Sequence, residues 1–288
     1  MENVPEGAIH KILKMGNETG ISWTDGTHNI ARGCTKVVDE TPEGEKVSDC
    51  LFCYMYRDSM DGTRYKPNIV TKTKTVFDMP LRYHKQESSV WGGKPLLFTS
   101  SLTDVYHEKI DIFRNGYWDI ARKSPNSIKQ ILSKRPERID QQTPQDFLDG
   151  EFTETIWLGT SCGTQHGERR IKALCDSKFT GIKFLSLEPL WGKLVLPDYI
   201  AGVISWVIIG GESGNGSIPK DPKVKYGYRV CEVEWMESLV LQCQGFGIPV
   251  FVKQMGTHLS KVMGMTDRHG GNIAEFPKHL QLRQFPQP

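Results

Sequence analysis

The chain has 288 residues, 38% hydrophobic and 24% charged, and carries a formal charge of +2. That is an ordinary globular composition, long enough to bury one sizeable core or two smaller ones. The near-neutral balance gives little support to broad electrostatic wrapping of a polyanion, and no run approaches the ~18 apolar residues of a membrane helix.

The N-terminus, MENVPEGAIHKILK, lacks the apolar segment of a signal peptide, so a cytoplasmic protein is expected, with 1–20 as an N-terminal extension. A first strand is expected near Ile21-Ser22-Trp23. Six further β-rich apolar runs follow, at 95–99, 128–132, 155–159, 182–186, 206–210 and 249–253. Short, nearly continuous apolar runs predict burial on both faces, as in a parallel sheet.

Between these runs, Ile110, Phe113, Tyr117, Ile120 and Ala121 fall at helical spacing and predict a helix over 109–122. Met236, Leu239, Val240 and Cys243 predict another over 233–244, with Gly245 as its C-cap. Thr164 or Ser161 suits the N-cap of a helix through 170–174. Strand–helix alternation implies βαβ units with right-handed crossovers, arranged as an open doubly wound sheet or as a complete or partial barrel. The turn-rich 266–271 and the stretch 280–286 form a C-terminal tail over 257–288, which reads as a last strand, surface packing or a cap over a barrel mouth.

Each run ends in polar residues: Ser100, Ser101 and Asp104; Ser133, Lys134 and Arg135; Thr160 and Ser161; Ser186 and Glu188; Glu212 and Ser213; Lys253 and Gln254. One such group would be a cap or a solvated loop. Six successive strand ends predict one shared pocket, because α/β folds gather chemistry where strands end. The basic stretch at 134–138 is either a solvated loop or a phosphate contact.

Seven cysteines are too odd a set for a disulfide framework in a reducing compartment. Cys162, Cys175, Cys231 and Cys243 are scattered, the last three in helical patterns, and are expected as small core residues. Cys50-Leu51-Phe52-Cys53 is a CxxC, with Cys34 upstream across 15 intervening residues, 35–49, that are rich in Asp and Glu and read as a solvated loop. Three chemistries compete for this trio. A thioredoxin-like redox site leaves Cys34 unexplained. A structural zinc site needs a fourth ligand, such as His28. An iron–sulfur cluster on three thiolates leaves one iron open. Closing the longer loop costs only about 0.6 kcal/mol per doubling of length.

Cys-x-aromatic-Cys after a first strand resembles the radical S-adenosylmethionine superfamily, in which the aromatic residue, here Phe52, packs beside the cofactor's adenine. That superfamily sets its first two cysteines closer than the 15-residue interval found here. The segments ISWTD (21–25), GCTKV (33–37), FTSSLTD (98–104), SKRPER (133–138), WLGTS (157–161), FLSLEPL (184–190), WVIIGGESG (206–214) and FVKQ (251–254) carry the resemblance further. Together they are similar to a family of radical S-adenosylmethionine-like proteins common in phages and prophages, itself distantly similar to spore photoproduct lyase.

The resemblance implies a parallel-stranded partial (β/α)6-type TIM barrel over 21–256. It implies a [4Fe–4S] cluster on Cys34, Cys50 and Cys53, and S-adenosylmethionine held by Phe52, Ser100, Ser101, Asp104, Lys134 and Ser161. Reductive cleavage of the cofactor would yield a 5′-deoxyadenosyl radical that abstracts hydrogen from the substrate. Trp23, Asp25, Arg135, Glu188, Glu212, Lys253 and Gln254 remain as substrate candidates. The expected activity is a lyase or isomerase type that rearranges or trims a modified pyrimidine, an amino-acid-decorated thymine in phage DNA, within the infected bacterial cytoplasm. Its electron donor would be a flavodoxin or ferredoxin. Two alternatives stand beside it: a thymine-lesion repair lyase with Cys162 as hydrogen donor, and a non-catalytic, zinc-stabilised nucleic-acid-binding protein.

Overall fold

The computed structural model describes residues 19–57, 67–83, 94–214 and 227–287, so most of the expected N-terminal extension lies outside the described residues. Seven strands make one parallel sheet: β1 (Gly26–His28), β2 (Leu96–Thr99), β3 (Ile128–Ser133), β4 (Ile156–Ser161), β5 (Lys183–Leu190), β6 (Trp206–Gly211) and β7 (Val250–Gln254). They lie side by side in chain order. An unreversed order has no switch point, which rules out the doubly wound alternative, and the sheet curls into a half-barrel. No helix among the described residues is long and apolar enough to cross a membrane.

Alternation along each strand builds two apolar layers. Ile131, Leu158, Leu185, Val207 and Val252 face outward, into a core shared with α1 (Asp111–Arg122), α2 (Glu168–Asp176) and α3 (Val233–Gly245). Leu96, Ile128, Trp157, Phe184, Trp206 and Phe251 face inward near the N-terminal ends of their strands and form an aromatic floor with Trp23. Around Trp206, ring centroids stand at 5.8 Å to Trp157, 5.7 Å to Phe184 and 6.0 Å to Phe251, tilted or edge-on as ring quadrupoles prefer. Each large apolar side chain fully buried this way contributes roughly 1.5–3 kcal/mol. With floor and helices on its two faces, the sheet accounts for the continuous apolar runs.

The first strand starts later than expected. Thr24 Oγ1 donates to Leu96 O (2.9 Å) and accepts from Phe98 N (3.0 Å), while Asp25 Oδ2 accepts from Leu96 N (2.6 Å). These side chains add to one backbone bond to β2, Asp25 N to Leu96 O (3.0 Å), while the chain at 21–25 turns and Trp23 drops onto Phe98 at 4.7 Å.

Helix ends also differ in detail. Gly245 is the last residue of α3, not its cap; the chain leaves through Gly247 at φ +70°, where Ile248 N donates back to Cys243 O. Cys231 lies before α3 rather than in a helix. Helix α2 begins at Glu168, and Thr164 opens only the short turn before it, without a side-chain cap bond. On the outer face of β3, burial pushes the Lys129 amine down to about 7, and its Nζ donates to Ala121 O, Ser124 O and Ser127 O at the end of α1.

No described residue of the tail lines the cavity at the strand ends. After α4 (Gly256–Val262), Phe276 and Leu280 join the outer core. Arg283 then bridges Phe251 in antiparallel sense, and Phe285 stacks on Trp206 at 5.2 Å. Trp206 is the first residue of β6, so the end of the tail covers the floor, opposite the strands' C-termini, while Thr257, His269 and Gly270 bond the chain just after β6 and β7.

Candidate active site

A cavity of about 790 Å³ opens at the C-terminal ends of the strands, above Trp23, Phe98 and Leu132. Into it the fold brings Cys34, Cys50, Phe52 and Cys53 from the segment after β1, and Ser100, Ser101 and Asp104 from after β2. Lys134 and Arg135, Ser161, Glu188, Glu212 and Lys253 complete the wall, with Ser186 and Ser213. Asp25 and Gln254 stand apart: Asp25 is a pairing residue of the β1–β2 junction, and Gln254 Nε2 donates to Gly211 O and Glu188 Oε1.

Local backbone geometry sets the thiols. Gly33 sits at φ +101°, where a Cβ would stand 2.2 Å from Ile69 O, so only glycine passes the chain into Cys34 here. Cys34 N donates to Pro67 O (2.8 Å), and the Tyr56 hydroxyl donates to Cys34 O. Cys53 leads directly into the helical turn Tyr54–Arg57, whose Tyr54 hydroxyl donates to Ser101 O. Burial pushes the Cys34 thiol up to about 12, and burial likewise raises Cys53. Thiols so shifted stay protonated at neutral pH unless a cation stabilises the thiolate. Among the described residues, no three His, Cys, Asp or Glu side chains are gathered closely enough to hold a metal ion. The trio therefore lines one wall without forming a preassembled ligand set.

Two of the remaining wall groups have free hydrogen-bonding capacity. Ser100 is the one non-glycine residue at positive φ among those described, at +70°, a conformation costing on the order of 1–3 kcal/mol. Its hydroxyl is buried without a partner. The Lys134 ammonium makes no hydrogen bond or ion pair among the described residues; burial opposes its charge, but the nearby Cys50, Asp49 and Cys53 outweigh that and raise its pKa. Such groups are what a polar ligand would satisfy.

Other candidates are already engaged. Asp104 accepts from Tyr106 N (2.9 Å), Ser133 Oγ (2.8 Å), Lys134 N (3.0 Å) and Arg135 Nη1 (3.1 Å), so it orders two loops instead of presenting a free carboxylate. Arg135 Nη2 also donates to Thr35 O (3.0 Å) and Thr35 Oγ1 (2.8 Å), clamping the Cys34 loop rather than facing a substrate. Glu212 is held in a fork by Arg229, at 2.8 Å from Nε and 2.6 Å from Nη2. Arg229 in turn donates to Ser48 O (2.9 Å) and lies 5.8 Å from the Phe52 ring. Glu188 Oε1 accepts from Lys253 Nζ (2.6 Å) and Gln254 Nε2 (3.1 Å), and the Glu188 and Lys253 side chains are both partly open to the cavity.

Two roles weighed for residues near the motifs fail on direction. Cys162 Sγ is buried in the outer core, where burial pushes its thiol up to about 12, so it does not reach the cavity as a hydrogen donor. His28 lies on the face of β1 opposite Thr27, against Tyr117, with Nε2 3.0 Å from Phe77 O, and is no fourth ligand for the thiols. Cys231 and Cys243 are core residues as expected, and Cys175 is half-buried beside that core.

The sequence reading missed Asn29, Thr35, Asp49, Arg170 and Arg229. Asn29 could have been found from its place just after β1, since its side chain exchanges hydrogen bonds with Ser101 and takes Leu102 N. The others act across long sequence separations and carry no local signal.

A family model described as "Protein of unknown function (DUF5131)" matches residues 18–280. No curated protein and no solved structure matches the chain.

Proposed function

The chain belongs to the DUF5131 family, whose description names no activity, and from the chain's own residues we propose a radical S-adenosylmethionine enzyme. Cys34, Cys50 and Cys53 would hold a [4Fe–4S] cluster, and the cavity above them would hold the cofactor and the reacting end of the substrate. One observation carries this reading. Three thiols, Phe52, the unpartnered Ser100 hydroxyl and the unpaired Lys134 ammonium line a single cavity at the C-terminal rim of a sequentially ordered parallel half-barrel.

The donor set suits the group: three sulfurs leave one coordination position open, and the cations Lys134 and Arg135 lie close enough to offset thiolate charge. When bound, the cluster and S-adenosylmethionine supply one-electron cleavage chemistry and a carbon radical able to abstract hydrogen. The chain's own groups bind and orient. Lys134 pairs with the cofactor carboxylate, and the Ser100 and Ser161 hydroxyls hydrogen-bond its amino-acid end. Phe52 offers a flat face to the adenine, and Arg135 with Asp104 keeps the Cys34 loop in register. The aromatic floor excludes water from below. Glu188 and Lys253 stand at the substrate end, able to take an amine and a carboxylate or phosphate.

We assign as substrate a modified pyrimidine in phage DNA, an amino-acid-decorated thymine, with a flavodoxin or ferredoxin as electron donor. This rests on the family resemblance of the motifs and on the charged Glu188–Lys253 pair. Protein purified without oxygen should be brown, with broad absorption near ~400 nm and a reduced-cluster electron-resonance signal that shifts on adding S-adenosylmethionine. Colourless protein with stoichiometric zinc would sink the cluster. 5′-Deoxyadenosine formed equally with and without such DNA, the bases unchanged, would sink the substrate.

A further inference from the structure

Between Cys34 and Cys50, the 15 intervening residues fold as a strut. Asp39–Glu40 pairs antiparallel with Lys46–Val47, and both ends of this hairpin reach the same cation: Asp39 and Asp49 each bind Arg170 on α2, whose side chain is only 1% exposed. Asp39 is also paired with Arg169 at 3.0 Å, and Asp49 has two further donors. Its Oδ2 also accepts from Gly163 N (3.1 Å) and its Oδ1 from Trp191 Nε1 (2.6 Å). At Gly163 a Cβ would lie 2.7 Å from Asp49 Oδ1 and 2.1 Å from Pro189 O, so the glycine leaves room for this carboxylate. Arg229 closes the other side, donating to Ser48 O (2.9 Å) with its guanidinium 4.5 Å from the Trp191 ring. The very next residue is Cys50, whose N–H donates to Ser48 Oγ (3.0 Å).

A carboxylate buried among a guanidinium, an indole N–H and a backbone N–H is fixed in all directions, since charge-assisted bonds in a dry site are strong and costly to break. We propose that Asp49, held by Arg170, is a positioning residue that sets Cys50 and Phe52 at the cavity wall. The segment 35–49 is then a strut tying the paired cysteines to the β4–α2 junction, and not the solvated loop its acidic composition suggests, since Asp39 and Asp49 are buried. Its consequence for a cofactor rests on the cluster reading; its consequence for the chain does not.

The test uses the full chain in two states. Hydrogen exchange on the cluster-free protein reads the peptide 45–55, and iron and sulfide per chain are measured after anaerobic reconstitution. Asp49→Asn should raise exchange in 45–55 by about tenfold with the rest of the sheet unchanged, and cut iron uptake to less than about half of the wild-type value. Trp191→Phe, which removes one hydrogen bond and no charge, should shift both readouts in the same direction by less, and it decides the matter if Asp49→Asn does not fold. Ile171→Val, on the core side of α2, should lower thermal stability and move neither readout. Wild-type exchange and iron uptake in Asp49→Asn would overturn the proposal. Wild-type protein that takes up no iron, while Asp49→Asn still loosens 45–55, would instead remove the cluster reading and leave the strut standing.

Discussion

Residue by residue, the cavity wall divides into groups that are engaged and groups that are free. Asp104, Arg135, Glu212 and Arg229 are spent on holding loops, Lys134 and Ser100 are available to a ligand, and Glu188 and Lys253 pair with each other while partly open to the cavity. Lys134→Met should therefore weaken S-adenosylmethionine binding by about tenfold or more, the loss of one charge-assisted bond, as read by titration. Glu188→Gln should leave that binding unchanged and lower product formation; equal effects of both variants on cofactor binding would contradict the division.

A second residue-scale expectation concerns pH. Burial lowers the His28 pKa to about 4 from its ordinary 6.5. Between those values the unfolded chain binds a proton that the folded chain does not, so folding loses ground as pH falls. The contribution of His28 is intact above pH 6.5 and declines through pH 4, by about 3 kcal/mol in total. Urea unfolding across that window should show the slope, and His28→Gln should flatten it.

Among the elements, β4 shows most directly how packing below shapes the cavity above. It carries Gly159 because the Phe184 ring lies where a Cβ would be, at 2.5 Å, and two residues later presents Ser161 to the cavity. Gly159→Ala should push Phe184 off its place in the floor and cost about 1–3 kcal/mol in denaturant unfolding, as overpacking does. A neutral outcome would mean that the floor repacks freely. The strands themselves were legible in the sequence, because burial on both faces leaves unbroken apolar runs. β1 was not, since Thr24 and Asp25 join β2 largely through side-chain bonds to a residue 71 and 72 positions away. The end of α3 was displaced for a local reason: Gly245 still fits a helix, and the left-handed turn falls two residues later, at Gly247.

For the whole molecule, the last residues of the chain and the cavity lie at opposite ends of one half-barrel, whereas the start of the tail, at Thr257, binds Glu212 O at the cavity's own rim. Ending the chain after Gln281 removes the Phe285 stack and leaves Trp206 Nε1 without Gln284 O, its partner at 2.7 Å. We expect a loss of about 3 kcal/mol and a lower melting temperature, with iron uptake by the folded fraction unchanged. Loss of iron uptake at full folding would show that the tail shapes the cavity after all.

By itself the sequence determined the parallel strand–helix march, the polar strand ends that meet at one rim, and the singularity of Cys34, Cys50 and Cys53. These are properties of periodicity and local composition, which a linear chain displays openly. Only the tertiary structure decided the sequential half-barrel over the doubly wound sheet, the turning of Cys162 and His28 away from the cavity, and the engagement of Arg135 with Thr35 and of Arg170 with Asp49, 100 and 121 residues apart. The reason is physical. Whether a charged side chain faces a ligand or clamps a loop depends on which partner its charge meets after burial, and that partner is chosen by the fold rather than by sequence neighbours.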